Sequence, residues 1–135
     1  MKLALALLAT MLFQSSEVPV RPIDAGGQSG VEESRQLLVT TPAAFAALWR
    51  EHSPRPQPSV DFTRESVVGI FLGMRNTAGY SVAIASVTRD RSGLLVRYRE
   101  HAPAADAITA QVLSFPYALV AIPAAAPPVR FEAVR

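Results

Sequence analysis

The residue types that move protons, attack carbonyls or hold metals are sparse in this chain and poorly grouped. It has two histidines, His52 and His101, and no cysteine. Disulfides, zinc–thiolate sites and cysteine nucleophiles are thereby excluded. Neither histidine stands in a metal-ligand spacing such as H-x-x-x-H, and a third ligand would have to come from scattered carboxylates. His52 closes a predicted helix, where an imidazolium suits the negative end of the dipole. His101 follows Glu100 at the start of a predicted loop. "DFTRE" places Asp61 and Glu65 where a connector enters a strand. With His101 they would form the best acid–base candidate, provided all three converge in one pocket. The G-x-S-x-G nucleophile elbow is absent. Glycines 26, 27 and 30 lack the following lysine that a phosphate loop requires. The expectation is a protein that is not an enzyme and uses no cofactor and no metal.

Two stretches have the chemistry of contact instead. "GMRNTAGYS" (73–81) carries Arg75 and Asn76 between Gly73 and Gly79, with Tyr80 and Ser81 opening an alternating apolar run. Glycine at each end permits positive φ, and Asn76 and Thr77 can bond their own backbone, so the loop is expected to hold its shape. "SFPY" (114–117) sets Phe115, Pro116 and Tyr117 across a strand pattern. Proline there removes a ladder donor and favours a bend or an edge. Two readings stay open for both: turns that only turn, with Tyr80 and Tyr117 packed inward, or loops that touch a partner.

These stretches must be positioned by one domain. The chain has 135 residues, 50% of them hydrophobic and 18% charged, which suits one globular unit with a real core. The formal charge is +2 and Lys2 is the only lysine. Arg89/Arg91 and Arg97/Arg99 are interrupted by Asp90 and Glu100, so no basic face for nucleic acid is expected. "MKLALALLATMLFQSS" (1–16) reads as a secretory signal, with an apolar run from Leu3 to Phe13 that is too short for a stable membrane span of about 20 residues. With no lipobox cysteine there is no lipid anchor. The protein is expected to be exported, periplasmic or extracellular, with a mature chain starting near Glu17. Residues 17–33 mix proline, glycine and charge and read as a mobile leader.

From residue 34 the pattern becomes regular. "SRQLLVT" (34–40) reads as a strand. In "TTPAAFAALWREH", Thr41 suits the N-cap and Pro42 the first helical position, with Phe45, Leu48 and Trp49 on one apolar face. Pro54, Pro56 and Pro58 then form an extended connector. Residues 66–73, 80–87, 94–100, 108–114 ("ITAQVLS"), 117–123 and 129–134 read as strands, and 73–79 as the loop of a hairpin. Six to seven short strands with one N-terminal amphipathic helix give an α+β fold: a mainly antiparallel sheet or small β-barrel covered by the helix.

"VDFTRESVVGIFLGMRNTAGYSVAIASV", "LLVRYRE" with Pro103 after it, and "SFPYALVAIP" together resemble the C-terminal domain of the PrcB family, over residues 35 to 134. Its most specific elements are the glycine-bounded loop ending in Gly79-Tyr80-Ser81 and the later Pro116-Tyr117. Asn76 and Ala78 stand where the family has a proline and a second glycine. The resemblance implies an envelope-associated or secreted, non-catalytic domain whose protein partner is a protease that it binds or assists. The partner-binding candidates are Gly73, Arg75, Asn76, Gly79, Tyr80, Ser81, Phe115, Pro116 and Tyr117. "RNTAGYSV" is also similar to the loop that chagasin-type protease inhibitors insert into an active site. A purely structural envelope domain is the third alternative.

Overall fold

The computed structural model describes residues 15–135. The expected signal over 1–16 therefore lies, save for Ser15 and Ser16, outside the described residues. The rest forms two four-stranded sheets and one helix. Sheet I has the order β1 (Ser16–Glu17), β5 (Ser81–Asp90), β6 (Gly93–His101), β8 (Val129–Val134). Sheet II has the order β2 (Arg21–Gly26), β7 (Tyr117–Pro123), β4 (Glu65–Leu72), β3 (Ser34–Val39). All pairings are antiparallel except β6 with β8.

The layers follow from the strand patterns. β4 is apolar at nearly every position because both its faces are covered, as continuous apolar strands are. Val68, Ile70 and Leu72 meet Val82, Val87, Leu94 and Val96 of sheet I. Val67 and Phe71 point the other way, onto Phe45, Leu48 and Trp49 of helix α1 (Pro42–His52). β7 divides likewise, Ala118, Val120 and Ile122 facing sheet I while Tyr117 and Leu119 face the helix. β6 alternates because its outer face meets solvent. The helix starts as its sequence dictates: the Ala44 N–H donates to the Thr41 hydroxyl at 3.2 Å, a cap worth about 1 kcal/mol. It ends at the extended Ser53, whose N–H donates to the Trp49 carbonyl.

Five expectations need correction. The described residues hold eight strands, not six to seven, and the two sheets face each other without closing a barrel. The helix is not N-terminal: three strands precede it. One of these, β2, comes from the segment read as a mobile leader, and it pairs with β7 from Arg21↔Ala121 to Gly26↔Tyr117. Its Pro22 is tolerated because β2 is an edge strand with a register shift after that residue. "ITAQVLS" is no strand. Ile108, Val112 and Leu113 are exposed, and within the stretch only Ser114 forms a β-bridge.

The fifth concerns the glycine-bounded loop. β4 and β5 do not pair; they lie in different sheets, so Gly73–Tyr80 is a crossover and not a hairpin loop. Gly73 and Gly79 have φ of 82° and 98°, the left-handed region that glycine enters without a Cβ penalty. These two residues turn the chain out of one sheet and into the other.

Candidate functional site

The crossover and the 114–117 bend meet at one end of the two sheets. Arg75 and Ser114 exchange backbone hydrogen bonds at 2.8 and 2.9 Å, and the Ala78 N–H donates to the Ala110 carbonyl at 3.1 Å. The buried Ser114 hydroxyl donates to the Thr77 carbonyl at 2.7 Å. On its other side the bend is tied to the segment after β2. Phe115 N–H donates to the Gly27 carbonyl, and Ser29 N–H donates to the Phe115 carbonyl.

Arg75 does not stand at a loop tip. Its Nε and Nη2 donate to the two Glu100 carboxylate oxygens on β6 at 2.7 and 2.8 Å. Its Nη1 donates to the Leu72 and Met74 carbonyls. These bonds to Glu100 raise the Arg75 pKa and hold Glu100 below the ordinary carboxylate value, outweighing the opposing effect of burial on each. Arg75 thus fastens the crossover to sheet I. Tyr117 is 4% exposed, with its ring inside the helix-facing core, and Pro116 is fully buried. Gly73 is buried, Phe115 and Tyr80 are half-buried, and Asn76, Gly79 and Ser81 are exposed. The junction offers solvent mainly Met74, Asn76, Ser81, Val112 and Leu113. Three of these are aliphatic side chains that the sequence reading did not single out. For Val112 and Leu113 a signal was present: the short apolar run after the proline- and alanine-rich 102–107 reads equally as a strand or as an apolar loop.

A second cluster, with no sequence motif behind it, lies under the helix C-terminus. Ser29 Oγ is 2.7 Å from His52 Nδ1, and His52 Nε2 is 3.1 Å from Asp24 Oδ2. Val31 N–H donates to Ser29 Oγ at 3.0 Å. The Asp24 carboxylate can only accept, so Nε2 carries a proton toward it, and in the neutral ring Nδ1 accepts from the serine hydroxyl. Arg55 Nη2 donates to the same Asp24 oxygen at 2.5 Å and to the Tyr117 hydroxyl at 3.3 Å. The connectivity is that of a Ser-His-Asp hydrolase with the two ring nitrogens exchanged. The surroundings rule out that use. Ser29 and His52 are buried, and the rings of Trp49, Phe71 and Tyr117 pack around the imidazole with centroids at 4.9, 5.8 and 4.3 Å. No acyl group can reach Oγ, and the network instead pins α1 to β2 and to residues 29–31. His52 was legible as a core residue: Phe45, Leu48, Trp49 and His52 form one helical stripe.

The pair of carboxylates with His101 is not assembled. Glu65 begins β4 and its two carboxylate oxygens accept from Arg21, while Asp61 accepts from Thr63. His101 pairs with Ser81 beside Glu100, near the other end of β4. Among the described residues no group of three or more histidine or acidic side chains is placed to hold a metal ion. No described helix is long and apolar enough to cross a membrane.

The acids set a pH dependence. For Asp24, burial raises the pKa, but hydrogen bonds from His52, Arg55 and Tyr117 outweigh it and leave the group below its ordinary 3.8. Glu65 and Glu100 lie below 4.5, chiefly through their arginines. In acid the unfolded chain therefore takes up protons before the folded one. The stability these groups contribute is complete above the ordinary values and is lost as pH falls through them toward the folded ones. Urea midpoints are expected to be flat above about pH 5 and to drop steadily below about pH 4, and Asp24→Asn is expected to shallow that slope. A midpoint that rises on acidification would contradict the assigned pairs.

No curated protein and no solved structure gives a match to the chain. The family model described as PrcB C-terminal matches residues 66–123. That span begins in β4 and ends with β7, and so contains both halves of the loop junction. The pairing of the crossover with the 114–117 bend is thus internal to the matched unit, and it is over this unit, residues 66–123, that the chain is similar to the PrcB C-terminal family.

Proposed function

We propose that this protein is an exported, non-catalytic binding domain that accompanies a peptidase and contacts it through the junction of the crossover with the 108–115 segment. The observation that carries this reading is the exposure of Met74, Val112 and Leu113 on loops tied together by the Arg75–Ser114 bridge. Apolar side chains held rigidly in solvent are the usual material of a protein interface, and functional contacts gather on loops fixed by a scaffold. The family match over this unit supports the same reading. Arg75 and Tyr117 act within it as supports rather than as anchors, and Tyr80, Asn76 and Ser81 flank the contact. The chagasin-type alternative needs a two-stranded hairpin at 73–81. The separation of β4 and β5 into different sheets removes the ground for it.

The test is isolation of the tagged chain from its own host, with the retained material assayed for casein hydrolysis. A stoichiometric peptidase held by the native chain and lost with Met74→Asp is the expected result. A native chain that retains no peptidase would overturn the reading. Sequencing of the purified chain is expected to find a start near Glu17, the mark of export.

A further inference from the structure

We infer that this chain pairs with a second copy of itself along β8, continuing sheet I antiparallel across a two-fold axis at Phe131. The inference is independent of the accessory reading, because β8 takes no part in the loop junction on which that reading rests. Among the described residues four strands stand at sheet edges. β1 has only two residues, and β2 is interrupted by Pro22 and a register shift. The one charged residue of β3, Arg35, is taken up by Glu33 and Glu51. β8 is unbroken, and its Arg130 and Glu132 side chains are 57% and 51% exposed on the outer face.

The backbone of β8 decides which groups are left over. The Leu94 N–H donates to the Pro128 carbonyl at 3.1 Å, and the parallel register runs from Leu94↔Val129 to Arg99↔Val134. In a ladder of that phase Arg130 and Glu132 turn their backbone groups to β6, while Val129, Phe131 and Ala133 turn theirs outward. Among the described residues no strand pairs with that outer side. A second β8 can therefore bond only in registers that set outward residues against outward residues. Centred on Arg130 or on Glu132, such a pairing sets that charge against itself, which destabilises it. Centred on Phe131, it sets Arg130 opposite the partner's Glu132 on both sides of the axis. Val129 then faces the partner's Ala133, and every outward N–H and carbonyl of the three residues is satisfied. The two half-buried Phe131 rings meet on the face turned to the core. The contact is self-complementary and closes at two copies.

Sedimentation of the full chain from about 1 to 500 µM tests this. The contact is small, so a dimer with Kd on the order of 100 µM is expected. Arg130→Glu and Glu132→Arg each set like charges opposite one another and are expected to weaken association at least about fivefold. Both lie in exposed ion pairs, and the thermal melts of the variants should stay close to the native one. The chain carrying both substitutions keeps the native net charge and again opposes unlike charges, so it is expected to associate as the native chain does. A native chain that stays monomeric throughout, whether or not it takes up an extended peptide, would overturn the inference. Single variants that associate as tightly as the native chain, or a double variant that does not recover, would do the same.

Discussion

His52→Ala is expected to remove about 3 kcal/mol of folding free energy, roughly a 10 °C drop in melting temperature for a domain of this size. The imidazole is buried among Trp49, Phe71 and Tyr117, and its removal leaves a cavity that these rings cannot close without leaving their rotamers. It also strips the buried Ser29 hydroxyl of its acceptor and Asp24 of one donor. Ser29→Ala, which loses one hydrogen bond and little volume, is expected to cost only about 1–2 kcal/mol. Denaturant unfolding of both variants checks the ranking. A His52→Ala chain within about 1 kcal/mol of the native one would show that the network is incidental to the fold.

Gly30→Ala should be nearly as damaging, for a steric reason. A Cβ at Gly30 would lie 2.1 Å from the Glu51 carbonyl oxygen, inside any tolerable contact. The neighbouring N–H of Gly30 donates to the His52 carbonyl at 2.8 Å, satisfying one of the helix's terminal acceptors. The clash can be relieved only by lifting residues 29–31 off the helix, which exposes Val31 and parts Ser29 from His52. The expected loss is about 3 kcal/mol. Gly27→Ala is the matched control. No atom lies within 4 Å of its added Cβ, and its effect should stay within about 0.5 kcal/mol. Equal effects at the two positions would mean that backbone entropy, and not the contact with Glu51, governs both.

These variants probe the part of the molecule that was hardest to read from the chain. β3, α1 and β4 to β8 follow from local signals: the Thr41–Pro42 start, the two-sided apolar run of β4, the alternation of β6 and the Asp90–Gly93 turn. β2 does not. "RPIDAG" has a proline, a glycine and two charges in six residues, and what makes it a strand is its pairing with β7, far along the chain. "ITAQVLS" errs in the opposite sense, since β-branched residues mark strands only where something covers them. The loop residues 73–81 and 114–117 were recognisable by type and do meet. The direction of their side chains was not recognisable, because burial of Tyr117 and the folding back of Arg75 depend on partners in other elements. Asp24, Ser29 and His52 come from β2, a loop and a helix end, and no spacing could have announced their meeting.

The order of strands in sheet II has a temporal meaning. β7 lies between β2 and β4, so the last long strand but one is the keystone for strands made much earlier. As the chain grows from its N-terminus, β5 and β6 can close on each other across a two-residue turn as soon as both have emerged. Sheet II cannot: until Tyr117–Pro123 appears, β2 has no partner and one flank of β4 stands open. A nascent or truncated chain ending before Tyr117 would therefore lack the centre of its core, and sheet II can be completed only after β7 has emerged.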